Sequence, residues 1–157
     1  MENYSTMTIS HKFVELIPDQ LEDRIIYIST KYCTAIHKCC CGCQEEVVTP
    51  LSPTDWQLIF DGKHVSLYPS IGNWNFPCQS HYWITDNKVE WARKWTEEEI
   101  GVGKQQDYQN KREYYNKERL SGVVSKNDKS DSKNNLWLRL KKLWSLVCRE
   151  HVKKSSR

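Results

Sequence analysis

Short runs rich in apolar and β-branched residues, separated by polar and turn-forming stretches, recur through the first ninety residues and predict strands. The runs are His11–Ile17, Arg24–Ser29 with four apolar residues in a row, Tyr32–Lys38, and Glu46–Thr49 before the breaker-rich Pro50–Pro53. Asp55–Phe60 and His64–Tyr68 flank Asp61-Gly62, a hairpin signal. In the second of these, Val65 and Leu67 alternate with Ser66 and Tyr68, as in a strand buried on one face. Pro69–Cys78 contains two Pro, one Gly and two Asn and reads as a loop. His81–Thr85 and Lys88–Trp91 form a second hairpin across Asp86-Asn87.

The period changes after Trp91. Thr96 followed three residues later by Glu99 is a capping pattern, so a helix starts there. Gly101 and Gly103 are expected to interrupt it, with a polar helix resuming over Lys104–Leu120. Residues 121–135 are rich in Ser, Lys, Asp and Asn and read as a mobile linker. Leu136, Leu140, Leu143, Trp144, Val147 and Cys148 recur at helical spacing, giving an amphipathic helix over 136–151. The expected class is therefore α+β. A small antiparallel β domain occupies 10–92, a charged helical segment 93–120, and the linker and last helix complete a basic C-terminal extension.

Charge follows the same division. Residues 1–91 hold six Lys/Arg against eleven Asp/Glu, a balance of −5; residues 92–157 hold seventeen against nine, a balance of +8. A basic extension suits an acidic surface or nucleic acid. Glu97, Glu98, Glu99, Glu113 and Glu118 interleave with its cations, which argues for a solvated helix and against nucleic acid. No apolar run reaches the ~18–20 residues of a membrane helix, and no export signal opens the chain. A cytoplasmic, non-membrane protein is expected.

Composition matters most through cysteine. Four of seven cysteines crowd into Cys39, Cys40, Cys41 and Cys43, and Cys78 follows after Pro77. Neighbours that close cannot staple distant parts of a fold, whereas thiolates on a glycine-bearing turn can converge on zinc with a ligand from a second segment. The spacing leaves the ligand set open, since Cys40-Cys41-Gly42-Cys43 also contains a C-x-x-C knuckle. Cys33 reads as strand core and Cys148 as helix packing. His81, three residues past Cys78, has three readings: a fourth zinc ligand, a general base beside the metal turn, or a strand histidine bonded to a backbone carbonyl.

Ser66, Ser70 and Ser80 are candidate nucleophiles, each inert without a base in hydrogen-bond reach. Ser70 sits where a strand runs through Pro69 into a Gly/Asn loop, which exposes a side chain and offers free backbone N–H groups. Ser66 is mid-strand. Ser80 adjoins His81, and adjacent strand residues point to opposite faces, so those two are not expected to pair. Patterns for zinc deaminases, H-E-x-x-H peptidases and P-loop enzymes are absent.

In order along the chain stand Cys39-Cys40-Cys41-Gly42-Cys43, Trp56, Asp61-Gly62, Val65-Ser66-Leu67-Tyr68-Pro69-Ser70-Ile71, Cys78-Gln79-Ser80-His81-Tyr82-Trp83-Ile84 and Val89-Glu90-Trp91. This order resembles a bacterial zinc-binding family of unassigned function, encoded beside ubiquitin-like proteins and their activating and conjugating enzymes. The resemblance covers about a third of the chain. It implies a serine peptidase acting after the C-terminus of the ubiquitin-like modifier. It also implies structural zinc on Cys39, Cys41, Cys43 and Cys78, with Ser70 as nucleophile and His81 as base. Backbone N–H groups of Ile71, Gly72 and Asn73, in the loop that ends at Trp74, would hold the oxyanion. Asp55, Asp61, Asp86 or a backbone carbonyl would orient the base. The modifier is the expected partner, and its activating or conjugating enzymes are candidates for the C-terminal helix. Cys40 departs from the family pattern, and the extension lies outside it. A non-catalytic zinc-stabilised adaptor in the same pathway is the alternative reading.

Overall fold

The computed structural model of the chain describes residues 7–124. The expected helix over 136–151, with Cys148, and the linker beyond residue 124 lie outside them. Nine strands come first: β1 Met7–Thr8, β2 Ser10–Phe13, β3 Ile25–Ser29, β4 Thr34–Lys38, β5 Glu46–Pro50, β6 Gln57–Phe60, β7 Val65–Gly72, β8 His81–Thr85 and β9 Lys88–Trp91. They form two sheets, ordered β1-β9-β8-β7-β6 and β2-β3-β4-β5. Apolar residues of both sheets merge into one core, including Ile26, Ile28, Val65, Ile71, Tyr82 and Ile84. Burying one such side chain contributes roughly 1.5–3 kcal/mol. Both anticipated hairpins form. Gly62 turns β6 into β7 at φ +99°, and Asp86 and Asn87 join β8 to β9 at φ +49° and +62°.

Three features depart from the sequence reading. The expected antiparallel β domain is present as two sheets, but one pairing differs: β2 runs parallel to β3. Alternation reports which face is buried, not which strand lies alongside, so direction was invisible. The strand expected to stop at Tyr68 continues to Gly72. Pro69 is tolerated because the ladder to β8 shifts register between Leu67 and Ile71, an irregular stretch where a missing N–H costs no regular ladder bond.

The third departure concerns the helix. α1 runs unbroken over Glu97–Val124, through both glycines and into the span expected to be linker. Each exposed helix glycine costs about 1 kcal/mol against alanine, which a long helix absorbs. The N-terminus forms the expected capping box: Thr96 N–H donates to Glu99 Oε2 at 2.9 Å, and Glu99 N–H to Thr96 Oγ1 at 3.3 Å. Gly103 leaves room for the Trp95 ring, which an added Cβ would approach to 2.9 Å. The strands and α1 belong to two separate compact units, divided after Lys94.

Candidate functional site

The chemistry collects where β8 begins. Cys39 follows β4 directly and enters a tight loop closed by Cys39 N–H to the Glu45 carbonyl at 2.8 Å and Gly42 N–H to the Cys39 carbonyl at 3.0 Å. Gly42 at φ +88° and Gln44 at φ +68° make the reversal, so Cys39, Cys41 and Cys43 face one point. On the other side, Phe76 N–H to Asn73 and Gln79 N–H to Phe76 fold the segment that delivers Cys78.

The sulfurs of Cys39, Cys41, Cys43 and Cys78 all lie within 4.8 Å of one another. Cys39–Cys41 is 3.4 Å, Cys43–Cys78 3.7 Å and Cys39–Cys78 4.0 Å. A tetrahedral ion with metal–sulfur bonds of about 2.3 Å spaces its ligands by about 3.8 Å, so these four thiols fit a metal ion. Cys40 is outside the set. Burial pushes its thiol up to about 12. Burial likewise raises Cys39 and Cys41. Burial also raises Cys78, but hydrogen bonds from the Ser80 side chain and backbone and from neighbouring thiols outweigh it and bring Cys78 to about 7. That thiol thus lies closer to the deprotonated form a metal requires than Cys39 or Cys41.

Behind the thiols lies a buried polar network. Ser80 Oγ is 3.1 Å from Cys39 Sγ and 3.5 Å from Cys78 Sγ. Asn73 Nδ2 donates to Ser80 Oγ at 2.9 Å, to Tyr82 OH at 3.5 Å and to Cys39 Sγ at 3.6 Å. Tyr82 OH in turn meets His37 Nε2 at 2.9 Å. Burial lowers the His37 pKa to about 4 and raises that of Tyr82, so both stay neutral. Ser80, a sequence candidate for nucleophile, and Asn73, a candidate oxyanion donor, both belong to this network. His37 and Tyr82 complete it, and their only signal in the sequence is a polar group at an inward strand position.

One residue past Ser80, His81 points to the opposite side of β8. Its Nε2 lies 2.9 Å from Ser70 Oγ. The ring packs edge-on to Trp74 at 4.9 Å between centroids and tilted against Trp83 at 5.5 Å. Burial lowers the His81 pKa, a backbone hydrogen bond with Arg93 raises it, and the Arg93 charge lowers it again; the net direction is down. A half-buried serine hydroxyl therefore meets an imidazole held neutral.

The family described as bacterial ubiquitination-like system serine protease (BubE) matches residues 13–92. The chain belongs to the BubE family. The match runs from the end of β2 to just past β9 and so contains the four thiols, Ser70 and His81. No curated protein and no solved structure matches the chain.

Within this BubE frame the remaining candidates separate. Ser66 is occupied at the β8–β9 turn, accepting from Asp86 N–H at 2.9 Å and donating to Asp86 Oδ1 at 3.3 Å. Asp61 accepts from the Lys63 and His64 N–H groups and meets His64 Nδ1 at 3.1 Å. Asp55 accepts from Ser52 Oγ at 2.6 Å. Of the expected oxyanion donors, Ile71 is buried and paired opposite Tyr82, and Gly72 stands opposite His81. Asn73 N–H donates to the Ser80 carbonyl at 2.9 Å. Gly72 carries the Trp74 indole where a Cβ would sit, 2.4 Å away, so a side chain there would displace the ring. No helix among the described residues is long and apolar enough to cross a membrane.

Proposed function

We propose that this chain is a serine hydrolase that cleaves the bond after the C-terminal residue of a ubiquitin-like modifier. The observation that carries the reading is the 2.9 Å approach of Ser70 Oγ to His81 Nε2. Family membership supports the reaction class.

His81 Nε2 takes the Ser70 proton as Oγ attacks the scissile carbonyl. The tetrahedral oxyanion collapses, and the leaving group departs with the proton from His81. Water, deprotonated by the same nitrogen, attacks the acyl-serine, frees the modifier carboxylate and returns the proton to Ser70. Beside the ring, a backbone interaction with Arg93 favours the protonated imidazole and so supports His81 in the part of base. Asn73 N–H is already spent on Ser80, so Gly72 N–H is the better oxyanion donor of the candidates.

Zinc suits four convergent thiolates, and with four protein ligands it keeps no open position, so bound there it supplies structural support. Cys39, Cys41, Cys43 and Cys78 would hold it, and Ser80 and Asn73 would orient the Cys39 sulfur. Holding the Cys78 segment also sets the start of β8 and thereby His81.

The test uses a ubiquitin-like modifier extended at its C-terminus. The wild-type chain trims the extension; Ser70→Ala and His81→Ala each lower the rate by about a thousand-fold or more, and the double variant adds little. Cleavage that survives Ser70→Ala sinks the reading and leaves an adaptor.

A further inference from the structure

A cleft of about 180 Å³ is lined by Val47, Val48, Thr49 and Trp56 and by Ile71–Phe76, the residues that directly follow Ser70 in the chain. β5 is the last strand of its sheet. β6 pairs with β7 only as far as Tyr68, so the stretch from Pro69 to Gly72 has no strand partner on that side. Two strand edges thus border one cleft, and the second edge carries Ser70.

Hydrogen bonding shows which backbone groups face it. Leu51 N–H donates to the Cys33 carbonyl and Cys39 N–H to the Glu45 carbonyl. In an antiparallel ladder such pairs recur every second residue. Val47 and Thr49 therefore bond to β4, while the N–H and C=O of Glu46 and Val48 point outward. Trp56 N–H confirms the phase by donating to the outward carbonyl of Pro50 at 3.1 Å. Val48 is 53% exposed.

We infer that this cleft is the acyl-side substrate groove, binding the residues before the scissile carbonyl as an added strand on the Val48 edge and selecting small, uncharged side chains. The inference rests on Ser70 being the nucleophile. Size and charge define the occupant. A strand residue spans about 3.4 Å along the chain and about 4.8 by 10 Å across it, on the order of 160 Å³. The cleft thus takes one residue with a side chain, or two with almost none. Its lining contains no Asp, Glu, Lys, Arg or His, so a charged side chain would be desolvated there without a counter-ion. Main-chain pairing supplies affinity, as in other strand-addition complexes, and the lining includes Ile71 and Gly72, one and two residues past Ser70.

The experiment uses the full chain carrying Ser70→Ala, which removes turnover from the measurement. The probes are three acetylated hexapeptide amides alike in their first four residues and ending in Gly-Gly, Ala-Ala or Leu-Leu. Tryptophan fluorescence reports binding through Trp56 and Trp74. Gly-Gly and Ala-Ala should bind saturably, and Leu-Leu at least about ten-fold more weakly. Val48→Pro removes one outward N–H without breaking a bond to β4 and should weaken Gly-Gly binding about ten-fold, whereas Val48→Ala keeps the N–H and should stay within about three-fold. Should Val48→Pro fold poorly, slowed amide exchange at Val48 on adding the Gly-Gly peptide reads the same bond. No saturable binding, a preference for Leu-Leu, equal effects of Pro and Ala, or an unprotected Val48 amide would each overturn the groove. None of these outcomes bears on the Ser70→Ala rate test, so the two readings fail separately.

Discussion

The thiol cluster and the Ser70–His81 pair sit on opposite sides of the same strand entrance, yet they are assembled in different ways. Three of the four thiols come from one five-residue turn, so local backbone geometry brings them together. Ser70 and His81 meet only because Gly72 stands opposite His81 in the β7–β8 ladder. A ligand cluster can thus be written into a few adjacent residues, whereas a nucleophile and base depend on the register of whole strands. On the proposed reading the first steadies the second, since Cys78 and Ser80 stand just before His81 in the chain.

That coupling can be attacked from either end. The largest effect is expected from Cys78→Ser. Structural sites of this kind contribute on the order of 10 kcal/mol to folding. Metal content should therefore fall well below one equivalent, and the melting temperature should drop on the order of 10 °C or more. Ser70→Ala should do the reverse, removing about three orders of magnitude of turnover while metal content and melting stay at wild-type values. If it also released metal, the two halves would be one site. Ser80→Ala is intermediate. Losing the hydroxyl shared by Cys39, Cys78 and Asn73 should weaken metal affinity about 10–100-fold in a chelator competition, with a smaller fall in rate as His81 loosens. Unchanged affinity would show the hydroxyl to be mere filling.

The smallest effect is on pH. His81 must be neutral to accept the Ser70 proton, and its folded pKa lies below the usual 6.5. The acid limb of kcat/KM should therefore have its midpoint below 6.5, with activity lost as pH falls through it. Arg93→Gln removes the nearby charge but keeps the backbone partner, so the midpoint should move slightly upward. A midpoint above 6.5 would contradict the burial of the ring.

Legibility followed the same contrast. Cysteine clustering, the Asp61-Gly62 and Asp86-Asn87 turns and the Thr96 cap are local, and each could be read from adjacent residues. The Asn73–Ser80–Cys39 network and the free Val48 edge come from pairing partners far apart in sequence, which alternation does not specify. Pro69, Gly101 and Gly103 misled for another reason. Each is a breaker by intrinsic preference, and each sits where the context tolerates it: an irregular ladder for Pro69 and a capped, extended helix for the glycines.

The opening segment of the chain has a consequence for how the domain is made. Met7–Thr8 pairs with β9 and Ser10–Phe13 with β3, with Ile9 buried between them, so one short stretch forms the outer strand of both sheets. Its partners Ile25 and Val89 are synthesised at very different times. The segment is synthesised before both partners but cannot complete its pairing until β9 follows, and contacts of such long sequence separation form slowly. Until then β3 and β9 each present an open edge of the kind that recruits other chains. Production of this domain should accordingly be most sensitive to what is fused ahead of Met7, because anything that delays the segment prolongs the interval in which two nascent copies can pair with each other.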